Sequence, residues 1–157
     1  MIVTKIFDAV VLINIIQDLD FEEILIDWGK NPRYKQWTSY EVNLEVQKNA
    51  RLKLNKLIAL DIIKIFKPVP SNDIKQIQNL NPKLSIADCS LIYHYTKINN
   101  AICLTNDLHL RKYFIKNNFW LSGTNGIYLK LLKDKNIPQE IVEEKFNALK
   151  HDSRVFP

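Results

Sequence analysis

The chain is poor in glycine and cysteine, with three glycines and two cysteines in 157 residues. So few glycines exclude a glycine-rich phosphate cradle. The turn after the first predicted strand reads Asp8-Ala9-Val10, so it lacks the dinucleotide-binding fingerprint, and no Walker-type loop exists elsewhere. A Gly-x-Ser-x-Gly nucleophile elbow is also missing. An aspartyl phosphotransferase would place a second aspartate two residues after the first, but position 10 is Val. The two cysteines, Cys89 and Cys103, cannot build a disulfide framework and have no Cys or His partners at zinc spacing. Both lie in apolar stretches and read as buried free thiols of a reducing compartment. The three histidines, His94, His109 and His151, do not pair at metal spacing and receive no functional role.

Long hydrophobic runs are absent too. No segment approaches the ~18 apolar residues of a membrane span. The stretch from Ala9 to Ile16 is interrupted by Asn14 and preceded by Asp8, which spoils a secretory signal. The expectation is a cytoplasmic protein with no membrane association.

What is present describes an ordinary globular chain. An apolar fraction of 46% and a charged fraction of 25% suit one domain, read as residues 1–150, with a frayed tail over 151–157. The 22 Lys and Arg against 17 Asp and Glu leave +5, a balance that permits binding to a polyanion.

Alternating patterns organise the chain. Strands are predicted over Met1–Phe7, Tyr34–Thr38, Ile62–Phe66, Ala101–Thr105 and Phe119–Leu121. Helices are predicted from Asp8, over Asp20–Trp28, from Ser39 to about Leu52, and over Ser71–Leu80, Ser85–Ile98 and Leu108–Lys116. Two more follow, over Asn125–Lys135 and Pro138–Leu149. Strands alternating with helical segments predict an α/β fold with a mainly parallel sheet covered on both faces.

Four acidic residues stand out: Asp8, Glu45, Asp88 and Asp107, each at or near a predicted helix start. Each aspartate has an innocent reading as a helix cap, and Ser85-x-x-Asp88 is a variant capping box. Together they mean more. Asp8 and Asp107 both follow carboxyl ends of strands, where open α/β sheets bind ligands. Converging carboxylates repel unless a cation lies between them, and their hard oxygens suit Mg2+ or Mn2+. A basic chain around such a site suggests a nuclease. Nearby basic residues, Lys48 one turn beyond Glu45 and Arg111 and Lys112 one turn beyond Asp107, are candidates for substrate contact. Trp37 and Tyr40 flank the expected entrance, with core packing the better reading for Trp37.

Five segments in order carry a family likeness. They are Ile6-Phe7-Asp8-Ala9-Val10-Val11-Leu12-Ile13, Ser39-Tyr40-Glu41-Val42-Asn43-Leu44-Glu45-Val46, Leu84-Ser85-Ile86-Ala87-Asp88, Leu104-Thr105-Asn106-Asp107 and Ser122-Gly123-Thr124. Their order and spacing resemble the PIN-domain family over nearly the whole chain. The resemblance implies a three-layer α/β/α sandwich and Mg2+- or Mn2+-dependent cleavage of RNA or single-stranded nucleic acid. It maps the family's acidic positions onto Asp8, Asp88 and Asp107, and its helical glutamate onto Glu45, with Glu41 as a rival. Thr105, and Ser85 with it, would support the metal site through hydroxyls. Many small members are toxins that pair with a small antitoxin protein and form homodimers; some have lost activity and keep only a nucleic-acid-binding or regulatory role.

Overall fold

A computed structural model describes residues 1–147 and residue 149. The first half runs β1 (Val3–Phe7), α1 (Ala9–Ile13), α2 (Glu23–Lys30), β2 (Tyr34–Thr38), α3 (Tyr40–Glu45), α4 (Lys48–Ala59) and β3 (Lys64–Ile65). The second half runs α5 (Ser71–Leu80), α6 (Ile86–Tyr95), β4 (Ala101–Leu104), α7 (Leu108–Lys116), β5 (Leu121–Ser122), α8 (Thr124–Asp134) and α9 (Gln139–Asn147). The five strands form one parallel sheet in the order β3-β2-β1-β4-β5, and the helices flank it as a three-layer α/β/α sandwich. β1 is buried along nearly its whole length, as a central parallel strand covered on both faces must be.

That strand order sets where a ligand would bind. From β1 the chain moves outward through β2 and β3, then returns to the other side of β1 as β4. The connections diverge between β1 and β4, which opens a crevice beyond their carboxyl ends. The register pairs Phe7 with Leu104, so Asp8 and Thr105 leave the sheet side by side. The Asp8 N–H donates to the Leu104 carbonyl at 2.9 Å and keeps the two chain exits in step.

The core combines Ile6 and Phe7 with apolar residues from the surrounding helices, among them Leu12, Ile24, Leu54, Leu91 and Phe114, all fully buried. One central-strand residue breaks this pattern. Lys5 is 4% exposed, and its Nζ lies over the Trp28 and Tyr34 rings, at 3.0 and 3.8 Å from their centroids, with no hydrogen-bond partner among the described residues. Burial, and then repulsion from Lys130, push its ammonium down to about 6. The ring faces act the other way and favour the charged form.

Several expectations need correction. The single helix predicted from Ser39 to Leu52 is two helices, broken where Val46 turns extended (ψ 120°). Val42, Val46 and Ala50 are all still buried, so the four-residue spacing marks the core face without requiring a continuous helix. Arg51 makes the break tolerable by serving as a cap. It donates from Nε to the Val46 carbonyl at 2.9 Å, from Nη1 to Asn43 Oδ1 at 2.8 Å, and from Nη2 to the Asn43 carbonyl. Because of the break, Lys48 begins a second helix instead of lying one turn past Glu45.

The helix starting at Asp8 is also irregular. After Ile13 it widens into a π-helical turn over Asn14–Asp18, closed by the Leu19 N–H on the Asn14 carbonyl at 2.8 Å. Other boundaries shift more simply. The second helix starts at Glu23 because Asp20 is left-handed (φ 49°), and the last strand is Leu121–Ser122. The tail predicted over 151–157 lies outside the described residues.

Candidate functional site

Each of the three aspartates caps a helix, so the innocent reading holds at every one of them. Asp8 Oδ1 accepts from the Ala9 N–H at 2.7 Å, Asp88 Oδ2 from the Ser85 N–H at 2.9 Å, and Asp107 Oδ1 from the Leu110 N–H at 2.8 Å. Ser85 completes a capping box by accepting from the Asp88 N–H at 3.0 Å. Capping fixes these side chains at helix starts, and the topology gathers those starts in one crevice.

Thr105 ties two of them together. Its fully buried hydroxyl donates to Asp8 Oδ2 at 2.7 Å and accepts from the Asp107 N–H at 3.0 Å. Asp8 thus has hydrogen bonds on both oxygens, one from its own helix and one from the loop after β4. The residue is 5% exposed.

The electrostatics reveal a coupled group. Burial, then repulsion from Asp88 and Glu45, push the Asp8 carboxyl up to about 7, against the opposing pull of its Thr105 and Ala9 hydrogen bonds. Asp88 is raised by burial and then by Asp107; Glu45 is raised by burial and then by Asp88. Asp88 is therefore the hub, interacting with each of the other three acids. Among the described residues, the ion pairs of Lys and Arg go elsewhere, to Asp20, Glu22, Asp61 and Asp134. The four acids have no such partner.

Glu41 is not in this group. Its Oε1 accepts from the Val69 N–H at 2.9 Å, and its charge acts on His94. His94 stacks on Phe66 (4.1 Å between centroids), which stacks in turn on Trp37 (4.5 Å), as expected of packed rings. Of the two glutamates, the fold sends Glu41 towards the α5 side and leaves Glu45 beside Asp88.

The basic candidates separate as well. Arg111 donates from Nη1 to the Thr105 carbonyl at 3.0 Å, so it braces the loop that presents Asp107. Lys112 is on the opposite side of α7, lining a cleft with His109. Lys48 is exposed at the start of α4. Both cysteines are buried, and burial with the nearby aspartates pushes Cys89 up to about 11 and Cys103 up as well. Such thiols are inert packing.

Several positioning residues escaped the sequence reading. Ser90 Oγ lies 2.7 Å from Ser39 Oγ and donates to the Ala87 carbonyl at 2.6 Å; Ser39 in turn accepts from the Val42 N–H at 3.0 Å. This serine pair fastens the start of α3, which carries Glu45, to α6, which carries Asp88. On the other side, Asn106 Oδ1 accepts from the Thr124 N–H at 3.0 Å, and its Nδ2 donates to Thr124 Oγ1 at 2.8 Å. Thr124 Oγ1 also accepts from Asn14 Nδ2, at 3.0 Å, which ties the π-helical turn to the start of α8. Gly123 permits this approach, since a Cβ there would run into Asn106 Oδ1 and sit 3.0 Å from the Thr105 carbonyl. The sequence signal was the run Thr105-Asn106-Asp107 against Ser122-Gly123-Thr124, but its pairing needed the β4–β5 register.

The donors fit a hard divalent cation chemically, since carboxylate and hydroxyl oxygens are its preferred ligands. Among the described residues, no three Asp, Glu, His or Cys side chains close into a metal-holding arrangement. The sequence matches no protein-family model and no curated protein. The class of the molecule is thus defined by its fold: a parallel three-layer α/β/α domain with Asp8 and Asp107 just past the carboxyl ends of β1 and β4, at the topological switch point. No helix among the described residues is long and apolar enough to cross a membrane.

Proposed function

We propose that the chain is a PIN-like, metal-dependent nuclease that hydrolyses phosphodiester bonds, with RNA as its substrate. One observation carries this reading: Asp8 and Asp88 are buried within electrostatic reach of each other and of Glu45 and Asp107, and among the described residues no lysine or arginine is paired to any of the four. Carboxylates gathered in this way shed charge by binding protons unless a cation neutralises them, and carboxylates so perturbed mark functional sites. Asp8 and Asp88 would hold Mg2+ or Mn2+, with Asp107 and Glu45 reaching it through water. The ion, when bound, lowers the pKa of a water nucleophile and offsets charge developing on the phosphate.

The chain's own residues supply the rest. Thr105 orients the Asp8 carboxylate and links it to the Asp107 backbone. The Ser85 capping box fixes Asp88. Glu45, exposed to solvent, is the residue proposed to orient water or to accept its proton.

The direct test is cleavage of single-stranded RNA by the wild-type protein with Mn2+ or Mg2+. Asp8→Asn should abolish product formation while leaving the far-UV CD spectrum unchanged. If wild-type protein cleaves no RNA or DNA substrate with either ion, the catalytic reading fails. Chelator-insensitive RNA binding without product would then identify a silent binding domain.

A further inference from the structure

A cleft of about 330 Å3 opens between α7 and the loop joining α5 to α6. One wall is a single face of α7: His109, Lys112, Tyr113 and Lys116 follow the i, i+3, i+4, i+7 spacing of neighbours on a helix. The other wall contributes Lys83 and an apolar floor at Leu84. The lining carries three lysines and a histidine and no carboxylate. None of these lysines belongs to an ion pair of the described residues, so their charge faces the cleft and solvent.

The cleft is continuous with the acidic site. Its loop wall runs directly into Ser85 and the Asp88 capping box, and its α7 wall starts directly after Asp107. His109 lies close enough to Asp88 to favour that carboxylate's charged form. At about 1.5 Å of rise per residue, Lys116 lies about 10 Å further along the α7 axis than His109. The basic wall therefore begins at the acids and leads away from them. The loop wall is held in place: Asn81 Nδ2 donates to the Ile77 carbonyl and Gln78 Nε2 to the Leu84 carbonyl, both at 3.1 Å.

An aromatic ring and an apolar floor below a lysine rim match one chemistry, a nucleobase with its flanking phosphates. We infer that this cleft seats a nucleotide of a single-stranded nucleic acid next to the acidic site, with its base against Tyr113 and its phosphates on Lys112 and Lys116. A duplex keeps its bases stacked inside and offers nothing to the floor, so the site selects single strands. The inference rests on the nuclease reading and adds the path by which the strand leaves the acids.

The test measures binding of fluorescein-labelled single-stranded RNA, single-stranded DNA and duplex RNA to the full chain in EDTA across a salt series. Lys112→Gln/Lys116→Gln removes two exposed cations without disturbing the core. Loss of two phosphate contacts to a single strand lowers the slope of log affinity against log salt by about 1.4, which is about a 25-fold loss at 0.1 M salt. Tyr113→Leu should cost about tenfold with the salt slope unchanged, because stacking is not ionic. Lys133→Gln/Lys135→Gln, on the far end of α8, should bind as wild type. In Mn2+ the cleft variant should show a raised KM with kcat retained.

Unchanged affinity and slope in Lys112→Gln/Lys116→Gln would overturn the inference, and so would an equal loss in the α8 variant or tighter binding of duplex. Wild-type cleavage combined with an indifferent cleft variant would leave the nuclease reading standing and remove only the cleft. Cleft-dependent binding without cleavage or Mn2+ binding would do the reverse.

Discussion

Replacing Asp8 with asparagine should stabilise the metal-free protein increasingly as pH rises. The folded Asp8 carboxyl titrates at about 7, raised by burial and by Asp88 and Glu45, whereas an unfolded aspartate titrates near 3.9. Between those values the folded state holds a proton that the unfolded state has lost. The native protein therefore binds more protons, and stability falls as pH rises through that window, levelling off above about 7. The penalty from this one group is about 1.5 kcal/mol at pH 5 and about 4 kcal/mol at pH 8. Asparagine carries no such penalty, so the stability gap between variant and wild type should widen by roughly 2.5 kcal/mol from pH 5 to pH 8.

The difference between the two proteins is the quantity to measure. Lys5 and His94 are both lowered by burial, so each contributes stability that rises with pH, opposite in sign to Asp8. These contributions cancel in the comparison. Weaker hydrogen bonding of the amide to Thr105 and Ala9 costs about 1 kcal/mol and is independent of pH, so it shifts the gap without changing its slope. Urea unfolding in EDTA, followed by CD at pH 5, 6, 7 and 8, supplies the data. Saturating Mn2+ should then stabilise wild type by about 2.7 kcal/mol at 100 times its dissociation constant and leave Asp8→Asn unmoved. A gap constant from pH 5 to pH 8 would refute the claim that the folded carboxyl is held protonated by its surroundings.

Other perturbations test the supports. Thr105→Val removes a hydroxyl that serves both Asp8 and the Asp107 N–H, and should cost about 2–4 kcal/mol in urea unfolding. Thr105→Ser should recover most of that loss; equal instability in both variants would mean that packing of the methyl, not the hydrogen bonds, matters here. Lys5→Met should stabilise the protein by roughly 4–5 kcal/mol at pH 7, since the folded ammonium is lowered to about 6 while the unfolded one stays charged to about 10.4. The native penalty is complete below pH 6 and fades as pH rises through 10, so the gain should be smaller at pH 10. A destabilised Lys5→Met at pH 7 would show that the Trp28 and Tyr34 ring faces outweigh the burial.

Local chemistry made much of this legible. Strand Tyr34–Thr38 and helices Ser71–Leu80 and Leu108–Lys116 agree with their predicted bounds, because each is bracketed by a cap, proline or turn residue that acts within a few positions. The same holds for the acids: Asp8, Ser85-x-x-Asp88 and Asp107 are read from capping chemistry, and the structure makes each of them a cap. The helix break at Val46 was not legible. It depends on Arg51 folding back onto the Asn43 and Val46 carbonyls, a contact that hydrophobic spacing does not encode.

What the sequence determined by itself, then, is the inventory, apart from the break at Val46 and the π-helical turn: the strands and helical segments, their alternation, and the carboxylates that stand at their junctions. Periodicity and capping are near-neighbour effects, so they survive in a linear string. Which carboxylates meet was decided only by the tertiary structure. The β1–β4 pairing puts Asp8 beside Thr105, the Ser39–Ser90 contact brings Glu45's helix to Asp88, and the Val69 amide draws Glu41 away. Each is a contact between residues far apart in the chain. The raised Asp8 carboxyl has the same origin, because desolvation and like-charge repulsion exist only after the chain has closed around them.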